Sequence, residues 1–298
     1  VYSLAYGDQP ALIAEQVDWA RACGLEVVSA GKGTRYQPRY HQSTPATVWD
    51  FYGITAADAQ SGNLNPQMFN SFLDGTKSGI EMAAVANACG LNPPRDGLAF
   101  PAVGFNQFAQ KLIPVEDGGV LEGRGIVEVV ASEARDGTAL PDDLRWGTYV
   151  TFDGETEDVK ECFSQYGVLT DASGRYAALW RPYHLIGLEL GISVASVGLR
   201  GEATGSAEEF RGDVVATAKF DMRAGEELDG EGGYTVWGKL MPSADSLAIG
   251  GLPIGLAHGM TLKRDIAAGE LLSWDDVIFD ANDPAIQFRR EMEQAFSG

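Results

Sequence analysis

The 298 residues carry 22 lysines and arginines against 42 aspartates and glutamates, a formal net charge of −20. That balance excludes nucleic acid and anionic membrane surfaces as natural partners, and it means that any anionic substrate needs a local cationic cluster. With 45% hydrophobic residues the chain can bury a full core and is long enough for two domains, while Cys23, Cys89 and Cys162 lie too far apart for a cysteine zinc site and fit a reducing, cytoplasmic setting. No apolar run reaches the length of a membrane span.

In chain order, Val1–Ala5 is expected as a short buried strand that leaves through a turn at Gly7 and Asp8. Asp8 then caps a helix with Pro10 in its first turn, running to Cys23 and stopping at Gly24. Leu25–Ala30 is β-prone and ends in Gly31-Lys32-Gly33. Strand, helix and strand over about 30 residues predict a βαβ unit with a parallel pair. Ligands in open α/β sheets sit beyond the carboxyl ends of strands, where Asp8 and Lys32 both fall. The Gly-Lys-Gly turn with Arg35 can meet an anion, or it is an ordinary loop with a surface lysine. The GxGxxG dinucleotide fingerprint occurs nowhere in the chain. Tyr36–Gln67, polar and aromatic with Pro38 and Pro45, is expected as a long ordered loop or lid with short helical turns, with His41 as an exposed loop histidine.

The most informative stretch is Asn65–Leu91, which predicts one helix from Pro66 to the residue before Gly90. At about 100° per residue Asp74 and Glu81 point within roughly 20° of each other, with Lys77 about 60° away. Phe69, Phe72, Leu73 and Ile80 gather on another arc. Two acids around a lysine can hold a cation or move protons; the alternative is a solvated Lys77–Glu81 pair one turn apart. Gly75 and Gly79 weaken the helix beside these charges, which points to close approach of something to its backbone.

Further on, Val103–Leu112 is expected as a short helix, Val120–Ala131 and Thr148–Phe152 as strands, and Asp153–Ser173 as an acidic, turn-rich connection. Arg181-Pro182-Tyr183-His184 interrupts an apolar run. Arg181 suits bidentate recognition of a carboxylate or phosphate, or pairs with a buried acid; His184 is a hydrogen-bonded core residue or lines a pocket. Asp221–Leu228 (DMRAGEEL) recurs 44 residues later as Asp265–Leu272 (DIAAGELL), which predicts a repeated strand-to-turn unit within a β-module of about residues 213–280. Ala281–Phe296 closes as a surface helix.

The stretches VYSLAYGDQP, EVVSAGKG, FLDGTKSGIEMAAVANACGL, LIPVEDGGVL and RPYHLIGLEL, with the paired AGE turns, together resemble a family of bacterial oxidoreductases. These are the predicted homoserine dehydrogenases with a C-terminal SAF domain, whose best-known branch is similar to 1-deoxy-D-xylulose-5-phosphate reductoisomerase. The resemblance implies an α/β fold in three parts: residues 1–36 as a remnant of an NADP-binding Rossmann domain, most of which is expected before Val1; residues 37–205 as a catalytic and oligomerisation domain; and residues 206–298 as a β-clip SAF module with a terminal helix. It implies reduction and isomerisation of a phosphorylated ketose, or reduction of an amino-acid semialdehyde, with NADPH and a divalent metal, magnesium or manganese. On that reading Asp74 and Glu81 hold the metal, and Lys77 orients or protonates the developing alkoxide. Lys32, Arg35 and Arg181 meet the anionic end of the substrate, His184 lines the pocket, and Gly7 and Asp8 lie against the cofactor. The partners implied are a small anionic substrate and further copies of the chain. A non-catalytic ligand-binding or oligomerisation module is the alternative of another class.

Overall fold

The computed structural model describes residues 2–296. Its elements in chain order are α1 (Gln9–Ala22), β1 (Glu26–Thr34), α2 (Val48–Tyr52), α3 (Ala56–Ser61), α4 (Pro66–Leu73), α5 (Thr76–Cys89), α6 (Phe108–Lys111), β2 (Ile126–Ala131), β3 (Thr148–Asp153), α7 (Glu157–Tyr166), β4 (Leu169–Thr170), β5 (Tyr176–Arg181), α8 (Leu190–Arg200), β6 (Gly212–Ala218), β7 (Val236–Pro242), α9 (Ser243–Ile249), β8 (Thr261–Leu262), β9 (Val277–Ile278) and α10 (Pro284–Phe296). They form two compact units, both discontinuous in sequence. The first joins the chain up to Gln37 with Glu81–Gly212; the second joins Pro38–Ile80 with the chain from Asp213 onward.

The first unit is built on a five-stranded sheet of order β2-β1-β3-β5-β4. Only β1 and β2 run parallel; the other pairings are antiparallel, so the sheet is mixed. The expected first strand is not formed: residues 2–5 are irregular, with Leu4 N–H donating to Gly205 O, and Val1 lies outside the described residues. The parallel partner of β1 is β2, far downstream. The start of α1 follows the sequence: Asp8 is extended and its carboxylate accepts from Gln9 N–H, with Pro10 in the first turn.

The two faces of this sheet differ. On one, α6 packs an apolar cluster of Phe108, Leu112, Tyr149, Val130 and Ala178. On the other, α1 covers β1 and β3, with Trp19 edge-on to Phe152. Gly31-Lys32-Gly33 is not a turn; it lies inside β1. Its glycines answer to crowding by the neighbouring backbone, since a Cβ on Gly31 would stand 1.7 Å from Glu128 O and one on Gly33 2.2 Å from Leu144 O. The acidic connection after β3 also contains a helix, α7, capped by Thr156. The apolar run after β5 turns helical as α8.

The second unit contains α2 and α3 in the expected aromatic segment. Tyr40, Val48 and Leu73 form a cluster with Trp49, Tyr52 and Phe69 packed on it. The long helix expected over Pro66–Cys89 is broken. Asp74 is the C-cap of α4 and Gly75 follows at φ +93°, a conformation that continues no helix. Gly79 needs no ligand to explain it: a Cβ there would lie 3.0 Å from the Gly238 carbonyl of β7. The internal echo forms a reciprocal pair. Met222 and Ile266 exchange backbone hydrogen bonds at 2.8 and 2.9 Å, Asp265 accepts from Ala224 N–H, and Asp221 accepts from Ala268 N–H. Gly225 and Gly269 sit at φ +90° and +82°, the turn geometry expected of both copies. Helix α10 is tied down by Arg289 to Asp213 and by Glu293, which accepts from Trp274 Nε1.

Candidate functional site

Across β1, β3 and β5 the register places Lys32 opposite Thr148 and Thr148 opposite Arg181. Directly opposed residues share a face, so these three side chains form one row on the face that α1 covers. Lys32 and Arg181 are two strands apart, about 10 Å between backbones.

Lys32 is buried, and its ammonium meets acceptors from two helices. Its Nζ pairs with the buried Glu81 carboxylate of α5 and donates to Gln9 Oε1 of α1 at 3.0 Å. Beside it, the Thr148 hydroxyl is fully buried and has no hydrogen-bond partner among the described residues. At the far end of the row Arg181 pairs with Glu189, and its guanidinium lies 5.1 Å from the centre of the Tyr183 ring. Burial, and then the Glu15 carboxylate to which Tyr6 donates at 2.5 Å, push the Tyr6 hydroxyl up to about 12, so it stays a proton donor.

The second unit holds another buried lysine–acid pair. Lys219, directly after β6, donates to Asp74 Oδ2 at 2.8 Å, Ser43 O at 2.8 Å and Gly233 O at 2.7 Å. Asp74 Oδ1 accepts from Thr76 N–H and so also caps α5. His41 is not an exposed loop residue. It is half-buried, stacks on Trp237 at 3.8 Å, and places Nδ1 2.7 Å from Asp74 O; burial lowers its pKa.

Of the residues singled out from sequence, Lys32 and Glu81 are brought into direct contact. Asp74, Lys77 and Glu81 do not make one charged helix face, because the chain turns at Asp74 and Gly75. Lys77 is half-buried with its ammonium 5.6 Å from the centre of the Phe72 ring. Arg35 pairs with Glu133, and His184 places Nδ1 2.6 Å from Trp146 O. Asp8 fills the N-terminus of α1 with its own carboxylate, the wrong charge beside a pyrophosphate. Gly7 sits at φ +97°, where a Cβ would meet Leu185 O at 2.8 Å.

The acids expected to hold a metal each already face an ammonium: Glu81 faces Lys32, and Asp74 faces Lys219. A cation at either would have to displace a buried lysine, so this donor set does not fit a divalent metal. A separate grouping, Glu26, Asp153 and Glu155, brings carboxylate oxygens within 4.8 Å, but Asp153 is bound by Arg124 and Arg175.

Sequence reasoning passed over several buried polar residues, among them Gln9, Thr148, Lys219 and Glu128. The last two left a visible signal, a lone charge inside an apolar β-run in VVATAK and in GIVEVVA. Glu128 accepts from the N–H groups of Val129, Ala99 and Phe100 and is pushed up to about 7 by burial.

Among comparisons with known proteins, the family model described as Oxidoreductase DRL, catalytic domain, matches residues 7–190. No curated protein matches the chain.

Proposed function

The chain belongs to the family of the oxidoreductase DRL catalytic domain, and on that premise we propose that it reduces a small carbonyl substrate whose oxygen is met by the Lys32 ammonium. The observation that carries this reading is the buried Lys32 ammonium, held by the Glu81 carboxylate and the Gln9 carboxamide on the α1 side of the sheet. A reduced nicotinamide, NADPH, supplies hydride to the carbonyl carbon when bound. The chain's own residues handle the oxygen.

Lys32 donates a hydrogen bond to the carbonyl oxygen, stabilises the charge that grows there as the C=O bond becomes a C–O bond, and passes a proton to the alkoxide. Glu81 keeps the lysine cationic in a dry setting, where the attraction is stronger than in water. Thr148, between the lysine and Arg181, offers its buried hydroxyl to a substrate hydroxyl. Arg181 takes the anionic end by exchanging the Glu189 carboxylate for a bidentate phosphate or carboxylate. No step is routed through a metal.

This arrangement supports a phosphorylated ketose such as 1-deoxy-D-xylulose 5-phosphate as the substrate class. One observation favours an amino-acid semialdehyde instead: Glu15 and Glu189 stand around Tyr6 and Arg181, a setting that suits an ammonium next to a carboxylate. The test is NADPH oxidation by the protein with a panel of ketose phosphates and semialdehydes, with and without magnesium or manganese. Oxidation that depends on one of these carbonyl compounds supports the reading. Oxidation with none of them overturns it.

A further inference from the structure

We infer that Gln9 is a positioning residue, which fixes the direction of the Lys32 ammonium; the inference rests on the reading of Lys32 given above. Gln9 is the first residue of α1, a place where a polar side chain ordinarily points into water, yet it is buried. Its backbone N–H is taken by Asp8, so the side chain is not needed to cap the helix.

The two ends of the carboxamide meet partners of opposite kind. The oxygen accepts from Lys32 Nζ at 3.0 Å, and the nitrogen donates to Gly147 O at 3.0 Å. An ammonium only donates and a carbonyl only accepts, so one of the two amide orientations is satisfied at both ends and the flipped one at neither. The Gly147 carbonyl is itself fixed. It accepts from Gly33 N–H at 3.1 Å, and Gly147 packs so tightly that a Cβ would lie 2.1 Å from Arg181 O. Gln9 therefore links the ammonium to the rigid junction of β1, β3 and β5, and it does so without adding charge. A second carboxylate there would compete with Glu81 for the proton; a carboxamide only sets direction. Glu81 comes from α5 and Gln9 from α1, so the ammonium is aimed from two sides.

The experiment compares Gln9→Leu and Gln9→Glu in the full chain. The first readout is the side-chain ammonium 1H–15N spectrum of its lysines, with the Lys32 signal assigned by loss in Lys32→Arg. The second is kcat and KM for NADPH-dependent reduction. A positioning role predicts that Gln9→Leu broadens or shifts the Lys32 signal and lowers kcat roughly ten- to hundredfold with little change in KM. Gln9→Glu, which keeps an acceptor toward Lys32 but loses the donor toward Gly147 and adds a competing carboxylate, should shift the Lys32 signal without broadening it away and lower kcat less than Gln9→Leu does. If Gln9 only ties α1 to the sheet, Gln9→Glu behaves like Gln9→Leu, and the proposal is overturned. An unchanged Lys32 signal in Gln9→Leu overturns it as well. Should Gln9→Leu not fold, Gln9→Asn, too short to reach both partners, takes its place with the same expected outcomes. If no carbonyl compound is reduced at all, the functional reading fails, while the ammonium spectrum still decides the role of Gln9.

Discussion

The chain buries two lysine–carboxylate pairs, and they are built differently. Lys219 matches its three protons to three acceptors, Asp74 and the main-chain carbonyls of Ser43 and Gly233, and neither member of the pair is exposed to solvent. Lys32 meets the side chains of Glu81 and Gln9, delivered by separate helices. Main-chain carbonyls cannot rotate away without undoing the fold, whereas side-chain acceptors can yield to a substrate oxygen. The first pair is a structural knot joining the 38–43 segment, the α4–α5 junction and the loop at Gly233. The second has the makings of a working group.

Substitutions separate the two. The largest expected effect is on turnover: Lys32→Met lowers the proposed NADPH-dependent reduction by about 10²- to 10⁴-fold, the range for losing a positioned proton donor. Lys219→Met leaves turnover per folded molecule close to that of the parent. Stability shows the reverse emphasis. Lys219→Met strands the buried Asp74 carboxylate and costs on the order of 3–5 kcal/mol in denaturant unfolding.

Glu128 sharpens the comparison, being a buried acid that accepts from three backbone N–H groups and, among the described residues, pairs with no cation. Its folded pKa of about 7 lies above the ordinary 4.5, so between those values the folded protein holds a proton that the unfolded chain has released. Its stabilising contribution is greatest below about 4.5 and is lost as pH rises to about 7. The difference in unfolding free energy between the parent and Glu128→Gln should shift by roughly 3 kcal/mol against the parent over that window. A flat difference would show that Glu128 is charged in the fold.

The smallest expected effect comes from replacing both partners. Lys32→Met with Glu81→Leu should return to within about 1–2 kcal/mol of the parent, because an apolar pair can stand in for a buried ion pair. Lys219→Met with Asp74→Leu should recover less, since the Ser43 and Gly233 carbonyls each lose a charged donor and keep only the Asn70 amide.

Much of the frame was legible in the residues. Asp8 and Pro10 announce α1, the β-branched runs announce β1, β2 and β3, and the repeated Ala-Gly-Glu announces both turns. What escaped did so for physical reasons. Gly75 inside a helical pattern looks like a weak point and not a corner, because periodicity carries no information on φ. The partners of Asp74 and Glu81 lie 145 and 49 positions away, and spacing along one helix cannot reveal them. Gln9 is neutral and opens a helix, and neither trait in the sequence signals burial.

The most direct measurement is turnover per folded molecule of the Lys32→Met, Glu81→Leu double variant. It should fold close to parental stability and reduce the carbonyl substrate at least about a hundredfold more slowly. A folded double variant that turns over at the parental rate would contradict the assignment of Lys32 to the substrate oxygen.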